Sequence, residues 1–188
     1  MKTPKKGNPK LLLGLALVFL GFLLVFARPE KVVKEIADYT FAQEPVKVEG
    51  FSTQTVPQEE SPSRIIIPSL AIDLAVKSAK IVNGYWEVFP DSAAWGEGSG
   101  LPGQSGNQVI FAHAREGLFL PLRQVSLGMK VYVFTKGSWY QYEVKEIKEV
   151  TPSQIEVIAP TEDETLTLYT CTGFSDSKRL IVIAKRAS

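Results

Sequence analysis

The segment at residues 165–185, TLTLYTCTGFSDSKRLIVIAK, decides the fold of this chain. Its first part alternates apolar and polar side chains, with Leu166 and Leu168 on one face, which is typical of a half-buried strand. The small and polar residues at 172–177 predict a loop, and a second apolar run begins after it. If the two runs pair as a hairpin, Cys171 and Arg179 face each other across its open end.

This arrangement would place a thiol beside a permanently charged guanidinium group. A single cysteine is more often a buried structural residue, and an arginine is more often solvated. The only histidine, His113, favours a different interpretation, because it also follows a predicted strand, in NQVIFAHAR at residues 107–115. Imidazole passes protons near neutral pH and a thiolate is a strong nucleophile, so the two groups together indicate a thiol–imidazole catalytic pair.

The sequence around these residues resembles the sortase family. TLYTC at 167–171, an arginine eight residues after the cysteine and an upstream histidine resemble the family signature, commonly written TLxTC with His and Arg partners. The resemblance extends over residues 63–185 and includes RIIIPSLAIDLAV, LPGQSGNQVIFAH and FLPLRQVSLGMKVYVFTKGSWYQYEV. One departure is Ala112-His113-Ala114-Arg115, where many sortases have Gly-His-Arg. It leaves the equivalence of Arg115 open, but not that of His113.

Short strands separated by turn residues dominate the chain after residue 63. Eight are predicted, at 64–67, 72–76, 86–88, 108–112, 130–135, 139–150, 165–171 and 179–185. Residues 136–138 (KGS) predict a hairpin turn, and residues 117–125 and 152–157 predict short helical turns. This spacing without a long helical pattern predicts an all-β fold, a closed or nearly closed β-barrel. The resemblance implies the eight-stranded sortase barrel.

Composition limits the class of protein and partner. The 188 residues are 45% hydrophobic and 22% charged, which is typical of one globular domain with a tail. The formal net charge of +1 gives no reason to expect nucleic acid as a partner. A single cysteine cannot form an internal disulfide, so cysteine usage does not indicate a compartment.

The N-terminal part predicts a membrane anchor. Residues 1–10 hold four lysines and no acid, and residues 11–27 (LLLGLALVFLGFLLVFA) are uncharged. As a helix this run would be about 26 Å long, at the short end of what spans a hydrocarbon core of ~30 Å. A cleaved signal peptide is the alternative, but its apolar region is normally shorter and ends at small residues. The lysines predict a cytoplasmic N-terminus, a single-pass type II topology in the cell membrane and an extracellular catalytic domain.

Residues 28–62 are predicted to form an extracellular stalk, and residues 63–188 the catalytic barrel. The stalk is rich in Gln, Glu, Ser, Thr and Pro and shows little apolar periodicity. A regulatory lid over the active site is the alternative to a plain spacer. This division predicts that a protein beginning near Ser61 folds and stays active.

No cofactor is predicted. One histidine and one cysteine do not provide the ligand spacing of a metal site. Some sortases bind calcium through loop carboxylates, so the resemblance draws attention to Glu162, Asp163 and Glu164. Three adjacent acids are more simply interpreted as a solvated turn. Trp95, in the glycine-rich stretch before the histidine strand, is a candidate to border the substrate site.

The residues predict a transfer chemistry. The Cys171 thiolate would attack a carbonyl to give a thioacyl-enzyme, while His113 protonates the departing amine and deprotonates the incoming one. Arg179 would hold the substrate backbone or stabilise the oxyanion, with the backbone N–H of Thr172 as a second donor. Thr170 is a candidate substrate contact. The resemblance implies an LPXTG-like sorting signal, cut between Thr and Gly, and an amine acceptor of the cell wall or a pilin.

Two other functions remain open from the sequence. One is a non-catalytic, membrane-anchored barrel that binds a peptide or a wall component. The other is a thiol peptidase that transfers the acyl group only to water.

Overall fold

The computed structural model describes residues 46–48, 50–51 and 59–187. The predicted basic tail and transmembrane helix, at residues 1–10 and 11–27, lie outside these residues, as does most of the predicted stalk. In the part of the chain that is described, no helix combines the length and the apolar character needed to cross a membrane.

The described chain contains ten β-strands and four 3₁₀ helices. The strands are β1 (Arg64–Ile67), β2 (Ile72–Ala79), β3 (Ile81–Val82), β4 (Tyr85–Trp86), β5 (Ala93–Gly96), β6 (Gly106–Phe111), β7 (Lys130–Phe134), β8 (Trp139–Val150), β9 (Glu164–Thr172) and β10 (Lys178–Arg186). The 3₁₀ helices are η1 (Pro68–Leu70), η2 (Leu120–Gln124), η3 (Ile155–Ile158) and η4 (Phe174–Asp176). Eight of these strands close into a barrel in the order β1-β2-β5-β6-β9-β10-β8-β7. The predicted all-β closed barrel is therefore confirmed.

The barrel combines hairpins with two parallel pairs. β1–β2, β7–β8 and β9–β10 are antiparallel neighbours in the sequence, whereas β2–β5 and β6–β9 pair in parallel. The predicted turn at 136–138 joins β7 to β8, where the Thr135 N–H donates to the Ser138 carbonyl over 2.9 Å. As a result, β9 lies between β6 and β10, and the three strands share one side of the barrel.

One predicted barrel strand is replaced by another. The strand predicted at 86–88 lies outside the barrel, because β3 and β4 form a separate two-stranded hairpin. Asn83 and Gly84, with φ of 53° and 82°, make its turn, and left-handed conformation at both positions is what a type I′ turn requires. The eighth barrel strand is β5, which is buried at all four positions and so shows no apolar/polar alternation.

Side chains alternate between the two faces of the barrel strands. One large cluster fills the interior and includes Leu166 and Leu168 of β9, Ile110 of β6 and Val182 of β10. A second cluster, here called the outer cluster, includes the residues between these positions. Its members on β5, β6, β9 and β10 are Ala94, Val109, Phe111, Tyr169 and Ile181. A period of two residues places these side chains on the outer face of the barrel.

Trp86 of the small hairpin covers the outer cluster. Its ring is fully buried and stacks on Phe111, with 5.7 Å between the ring centroids and an interplanar angle of 18°. The indole N–H donates to the carbonyl of Glu97 over 2.9 Å, so the polar atom of this buried ring is satisfied. The hairpin therefore serves as a lid on the outer face of β6.

Residues 46–48 and 50–51, here called the strap, pack on the same hairpin. The backbone N–H of Trp86 donates to the Val46 carbonyl over 3.2 Å, and the backbone N–H of Val48 donates to the Gly84 carbonyl over 3.0 Å. Phe51 lies 5.1 Å from Trp86 between ring centroids. Val46 and Val48 are buried and Phe51 is half-buried, so these strap residues pack with the folded domain although they precede residue 63, the predicted start of the catalytic barrel.

Candidate functional site

Three neighbouring strand ends bring the predicted catalytic residues together. In the antiparallel β9–β10 pair, Cys171 lies opposite Arg179. In the parallel β6–β9 pair, Phe111 lies opposite Tyr169, and the Ala112 N–H donates to the Tyr169 carbonyl over 3.3 Å. Continuing this register by two residues places His113 beside Cys171. The thiol therefore lies between the imidazole on one side and the guanidinium on the other.

Cys171 and Arg179 lie on the outer face of the barrel. Each is two residues away from a member of the outer cluster on its own strand, Tyr169 on β9 and Ile181 on β10. Because strand side chains repeat every two residues, the thiol and the guanidinium stand on the same face as that cluster. His113 follows the end of β6, two residues after the outer-cluster member Phe111. The outer cluster, which Trp86 covers, thus lies next to the site.

Thr170 joins the two strands that carry the thiol and the imidazole. Its side chain is 1% exposed, and its Oγ1 donates to the Ala112 carbonyl over 2.8 Å. The sequence predicted a substrate contact here, but the residue next to Cys171 in a strand points to the opposite face. Thr170 instead fixes the end of β6, and the Phe119 N–H, which donates to the His113 carbonyl over 3.0 Å, fixes the residue beyond it.

Arg179 is 1% exposed and braces the loop between β9 and β10. Its Nη1 donates to the carbonyl of Asp176 over 2.7 Å and to that of Lys178 over 2.9 Å. Burial lowers the pKa of the guanidinium group, which nevertheless stays charged at any ordinary pH. A fixed cationic donor therefore lies opposite the thiol, beneath the loop.

The thiol and the imidazole both favour their uncharged forms. Burial raises the pKa of Cys171 to about 11, the Asp176 carboxylate adds to this increase, and Arg123 opposes it. Burial and the charge of Arg115 lower the pKa of His113, while Asp176 acts in the opposite direction. In the described part of the chain no hydrogen bond links the Cys171 thiol to the His113 ring. Cys171 and His113 therefore occupy neighbouring positions on adjacent chain segments but do not form an ion pair.

The β9–β10 loop holds residues that the sequence did not single out. Ser175 and Asp176 have left-handed φ values of 52° and 57°, and Phe174 is 93% exposed. The Asp176 Oδ1 lies 3.9 Å from Nη2 of Arg123 on η2. Phe174 could have been noticed as an aromatic residue in a loop of small polar ones. No local pattern predicts the ion pair between two distant segments.

Trp95 does not border the site. It is 1% exposed, lies in the interior cluster and donates its indole N–H to the Gly100 carbonyl over 3.0 Å. The strand that contains it, β5, is buried on both faces, so Trp95 contributes to core packing and does not contact substrate. Thr172 is also buried, and it pairs with Lys178 in the last register position of the hairpin.

The acidic run at residues 162–164 does not fit a cation site. Glu164 Oε1 accepts hydrogen bonds from the Gly103 N–H over 2.8 Å and from the Tyr142 hydroxyl over 2.7 Å. Asp163 forms an ion pair with Lys185 over 2.7 Å. Among the described residues, no group of three or more His, Cys, Asp or Glu side chains is arranged to hold a metal ion.

The site contains the groups that acyl transfer needs. A thiol can form a covalent intermediate, a neighbouring imidazole can move protons, and an arginine can hold an oxyanion or a peptide carbonyl. This set of groups can support the chemistry of a cysteine nucleophile that acts on an acyl group.

Comparison with known proteins gives consistent matches. The family model described as the sortase domain matches residues 65–187. Sortase A of Streptococcus agalactiae serotype III (strain NEM316) is 29% identical over 212 residues, covering 93% of this chain and 83% of the relative. Sortase A of Bacillus anthracis is 28% identical over 159 residues, covering 82% and 72%. The crystal structure of Streptococcus pneumoniae sortase C, which bears on pilin substrate specificity, is 26% identical with a TM-score of 0.61, covering 79% of this chain and 77% of that one.

Proposed function

The chain belongs to the sortase family of cysteine transpeptidases, and from this premise we propose that it cleaves an LPXTG-like sorting signal and transfers the acyl fragment to an amine of the cell envelope or a pilin. Sortases act on sorting-signal substrates and pilins, so the general kind of partner follows from the family. The observation that supports the proposal for this chain is the register that puts Cys171 between His113 and Arg179.

In the proposed reaction, Cys171 forms the covalent intermediate. Its sulfur attacks the carbonyl carbon of the scissile bond, and the C–N bond breaks as the C–S bond of a thioacyl-enzyme forms. The raised pKa of Cys171 means that the thiol must lose its proton at the site, because the thiolate is the nucleophile. The neutral His113 ring accepts that proton and then holds it for the departing amine.

His113 moves protons in both halves of the reaction. It donates a proton to the departing amine, and then accepts one from the amine that attacks the thioester. Its lowered pKa makes the imidazolium a strong acid near neutral pH, which suits protonation of a poor leaving group. The neutral imidazole left behind is the base for the second half.

Arg179 provides the charged donor for the oxyanion or for the substrate backbone. In acyl-transfer enzymes, removing one oxyanion donor raises the activation free energy by roughly 2.7–4 kcal/mol. The guanidinium Nη1 already binds two loop carbonyls, so its contact with substrate requires either its other nitrogens or a shift of the loop. The backbone N–H of Thr172 is the proposed second donor.

Mass spectrometry of the protein incubated with a panel of LPXTG-type peptides tests this proposal. We expect a thioacyl adduct on Cys171, and a ligated product when an amine acceptor is added. Cys171→Ala should abolish the adduct, and His113→Ala should cripple turnover while leaving a thiol that a strong electrophile can alkylate. Release of free acid alone, with acceptor present, would favour the thiol peptidase. Absence of any adduct would favour a binding module.

The proposed location is the outer side of the cell membrane, with residues 11–27 as the anchor. The four lysines of residues 1–10 and the uncharged run after them support this topology. A reporter that works only outside the cytoplasm, fused after Ser188, should be active. Activity of a cytoplasm-dependent reporter at the same position would contradict the topology and the class of substrate with it.

A further inference from the structure

One ion pair connects the two segments on either side of the thiol and the imidazole. Arg123 lies on η2, which follows the histidine strand, and Asp176 lies on the loop that follows the cysteine strand. Their side chains approach to 3.9 Å and are 42% and 61% exposed. An exposed pair at this distance is worth little, so another charged group can replace either member at small cost.

Asp176 is negatively charged, whereas the other charged residues that act on the thiol and the imidazole are arginines. Its carboxylate acts on both reacting groups, raising the pKa of Cys171 and of His113. The other charges that act on these two groups are Arg115 and Arg123, and Arg179 lies opposite the thiol. In the described part of the chain, Asp176 is thus the only acid whose charge shifts the pKa of either reacting group.

The second substrate of the proposed reaction is an amine, which carries a positive charge in neutral water. It must approach a site where the charge of Arg123 acts on the thiol, the charge of Arg115 acts on the imidazole and Arg179 lies opposite the thiol, and like charges brought together oppose binding. We propose that the Asp176 carboxylate docks the ammonium group of the acceptor, displacing Arg123 as its ion-pair partner. This inference rests on the proposed function and names the group that selects a charged acceptor for that same site.

The backbone around Asp176 is fixed in a way that suits docking. Arg179 Nη1 donates to the Asp176 carbonyl over 2.7 Å, and the residue has a left-handed φ of 57°. Asp is among the few residue types that adopt this conformation at low cost, because its short side chain can bond locally. The carboxylate is therefore presented by a restrained loop and not by a freely moving one.

The transfer step exchanges the C–S bond of the thioester for the C–N bond of an amide. The docked ammonium gives one proton to the neutral His113 ring, and its lone pair then forms a C–N bond to the thioester carbonyl carbon. The C–S bond breaks and its electron pair returns to Cys171, which takes the second proton released from the new amide nitrogen. His113 passes the first proton to solvent. Asp176 takes part in no bond change and acts by position and charge.

Competition between a charged and an uncharged acceptor tests the inference. Triglycinamide carries an ammonium group, whereas hydroxylamine is uncharged at neutral pH, and both react with the same thioacyl-enzyme. In Asp176→Asn the ratio of triglycinamide to hydroxylamine product should fall about five- to tenfold, the effect of one screened charge pair at contact distance. Because the ratio is measured on one intermediate, changes in the rate of thioacyl formation cancel. Asn also adopts the left-handed region, so the loop is kept.

Two further variants separate docking from a structural role. Arg123→Gln frees the carboxylate, so the product ratio should stay the same or rise. If the ion pair only braces the loop, Arg123→Gln should lower the ratio as Asp176→Asn does, and that result would overturn the inference. Glu146→Gln removes another exposed carboxylate, one that pairs with Lys148 over 2.9 Å, and should leave the ratio unchanged. An unchanged ratio in Asp176→Asn would also overturn it, whereas a wild-type protein that forms no thioacyl adduct would disprove the proposed function itself.

Discussion

At the scale of single residues, burial controls the charge of the two reacting groups. It raises the pKa of Cys171 to about 11 and lowers that of His113, so both side chains are uncharged near neutral pH. The thiolate–imidazolium form is then a minor species of the unliganded protein. A thiol held in this way reacts slowly with oxidants and alkylating agents, which follow the thiolate.

The first prediction concerns alkylation of Cys171 by iodoacetamide. A pKa about two units above that of an ordinary thiol lowers the thiolate fraction on the order of 100-fold at pH values below both. Alkylation near pH 8 should therefore be slower by about that factor than in the same protein unfolded in denaturant. The rate should increase as pH rises towards about 11. Mass spectrometry across the pH range measures this, and a rate that levels off below pH 8 would contradict it.

The second prediction concerns Arg179→Lys. Lysine keeps the charge but has no planar pair of donors, so it cannot both hold the loop carbonyls and face the oxyanion. We expect kcat/KM on a quenched fluorescent LPXTG-type peptide to fall at least ~100-fold, mainly in kcat if the contact forms only in the transition state. A near wild-type rate for the lysine variant would show that charge alone suffices, and such a rate for Arg179→Ala would remove the residue from the site.

The thiol and the imidazole of the proposed site could be singled out because each residue type occurs once, whereas Arg179, one of six arginines, was singled out by its spacing from Cys171 and by the resemblance to the family signature. With one cysteine and one histidine, no other pairing of thiol and imidazole exists in the chain. Thr170 and Trp95 were predicted to contact substrate, but both side chains are buried. Which face of a strand a side chain occupies depends on its position in the alternation. For Thr170, its place next to Cys171 in the strand was enough to predict the opposite face. Asp176 could not be found, since its importance depends on a contact with a segment far away in the sequence.

At the scale of elements, the small hairpin shows what apolar periodicity misses. β5 is buried throughout and β4 has only two residues, so neither gives a regular alternation. The Asn83-Gly84 pair is a strong signal for a tight hairpin and would have paired β4 with β3 instead of with the barrel strands. The longer strands β8, β9 and β10 were predicted to within two residues at each end because their patterns are long.

The third prediction concerns Gly96 of β5, which lies against the ring of Trp86. A Cβ at this position would overlap the six-membered part of the indole, which is buried and bonded through its N–H to Glu97. We expect Gly96→Ala to lower the free energy of unfolding by about 1–3 kcal/mol, the usual cost of overpacking. Gly137→Ala is the matched control, because nothing lies within 4 Å of its added Cβ. Denaturant unfolding measures both, and equal stability of the two variants would contradict the packing argument.

At the scale of the whole molecule, residues that precede the predicted start of the catalytic barrel pack on the folded domain. The strap supplies Val46, Val48 and Phe51 to the outer cluster, and through Trp86 and Phe111 it supports the strand that ends two residues before His113. The composition of residues 40–62 hides these residues, because the few apolar side chains among Gln, Glu, Ser, Thr and Pro do not form a regular period. Tertiary packing, and not local pattern, decides where the domain begins.

The fourth prediction compares two truncated proteins, one beginning at Pro45 and one at Ser61. Burying each apolar side chain of the strap contributes about 1.5–3 kcal/mol before the cost of ordering the segment. The protein that begins at Ser61 should therefore unfold at least ~5 °C lower, and it exposes Trp86 to solvent. Calorimetry and tryptophan fluorescence measure the two effects. Equal unfolding temperatures would restore the boundary near residue 61 that the composition predicts.

The parallel pairing of β6 with β9 also determines how the site is acquired during folding. Cys171 and Arg179 belong to one local hairpin and can meet early, whereas Thr170 bonds to Ala112 across 58 residues of chain. Pairing of strands so far apart in the sequence costs loop-closure entropy before stabilising contacts can form. Barrels of this kind are therefore among the slower two-state folders, in the millisecond to second range. Until β6 docks, the nascent chain has a thiol and a guanidinium but no imidazole beside them. We therefore expect an incompletely folded molecule to be inactive towards peptide substrates, with transpeptidation possible only when the barrel has closed.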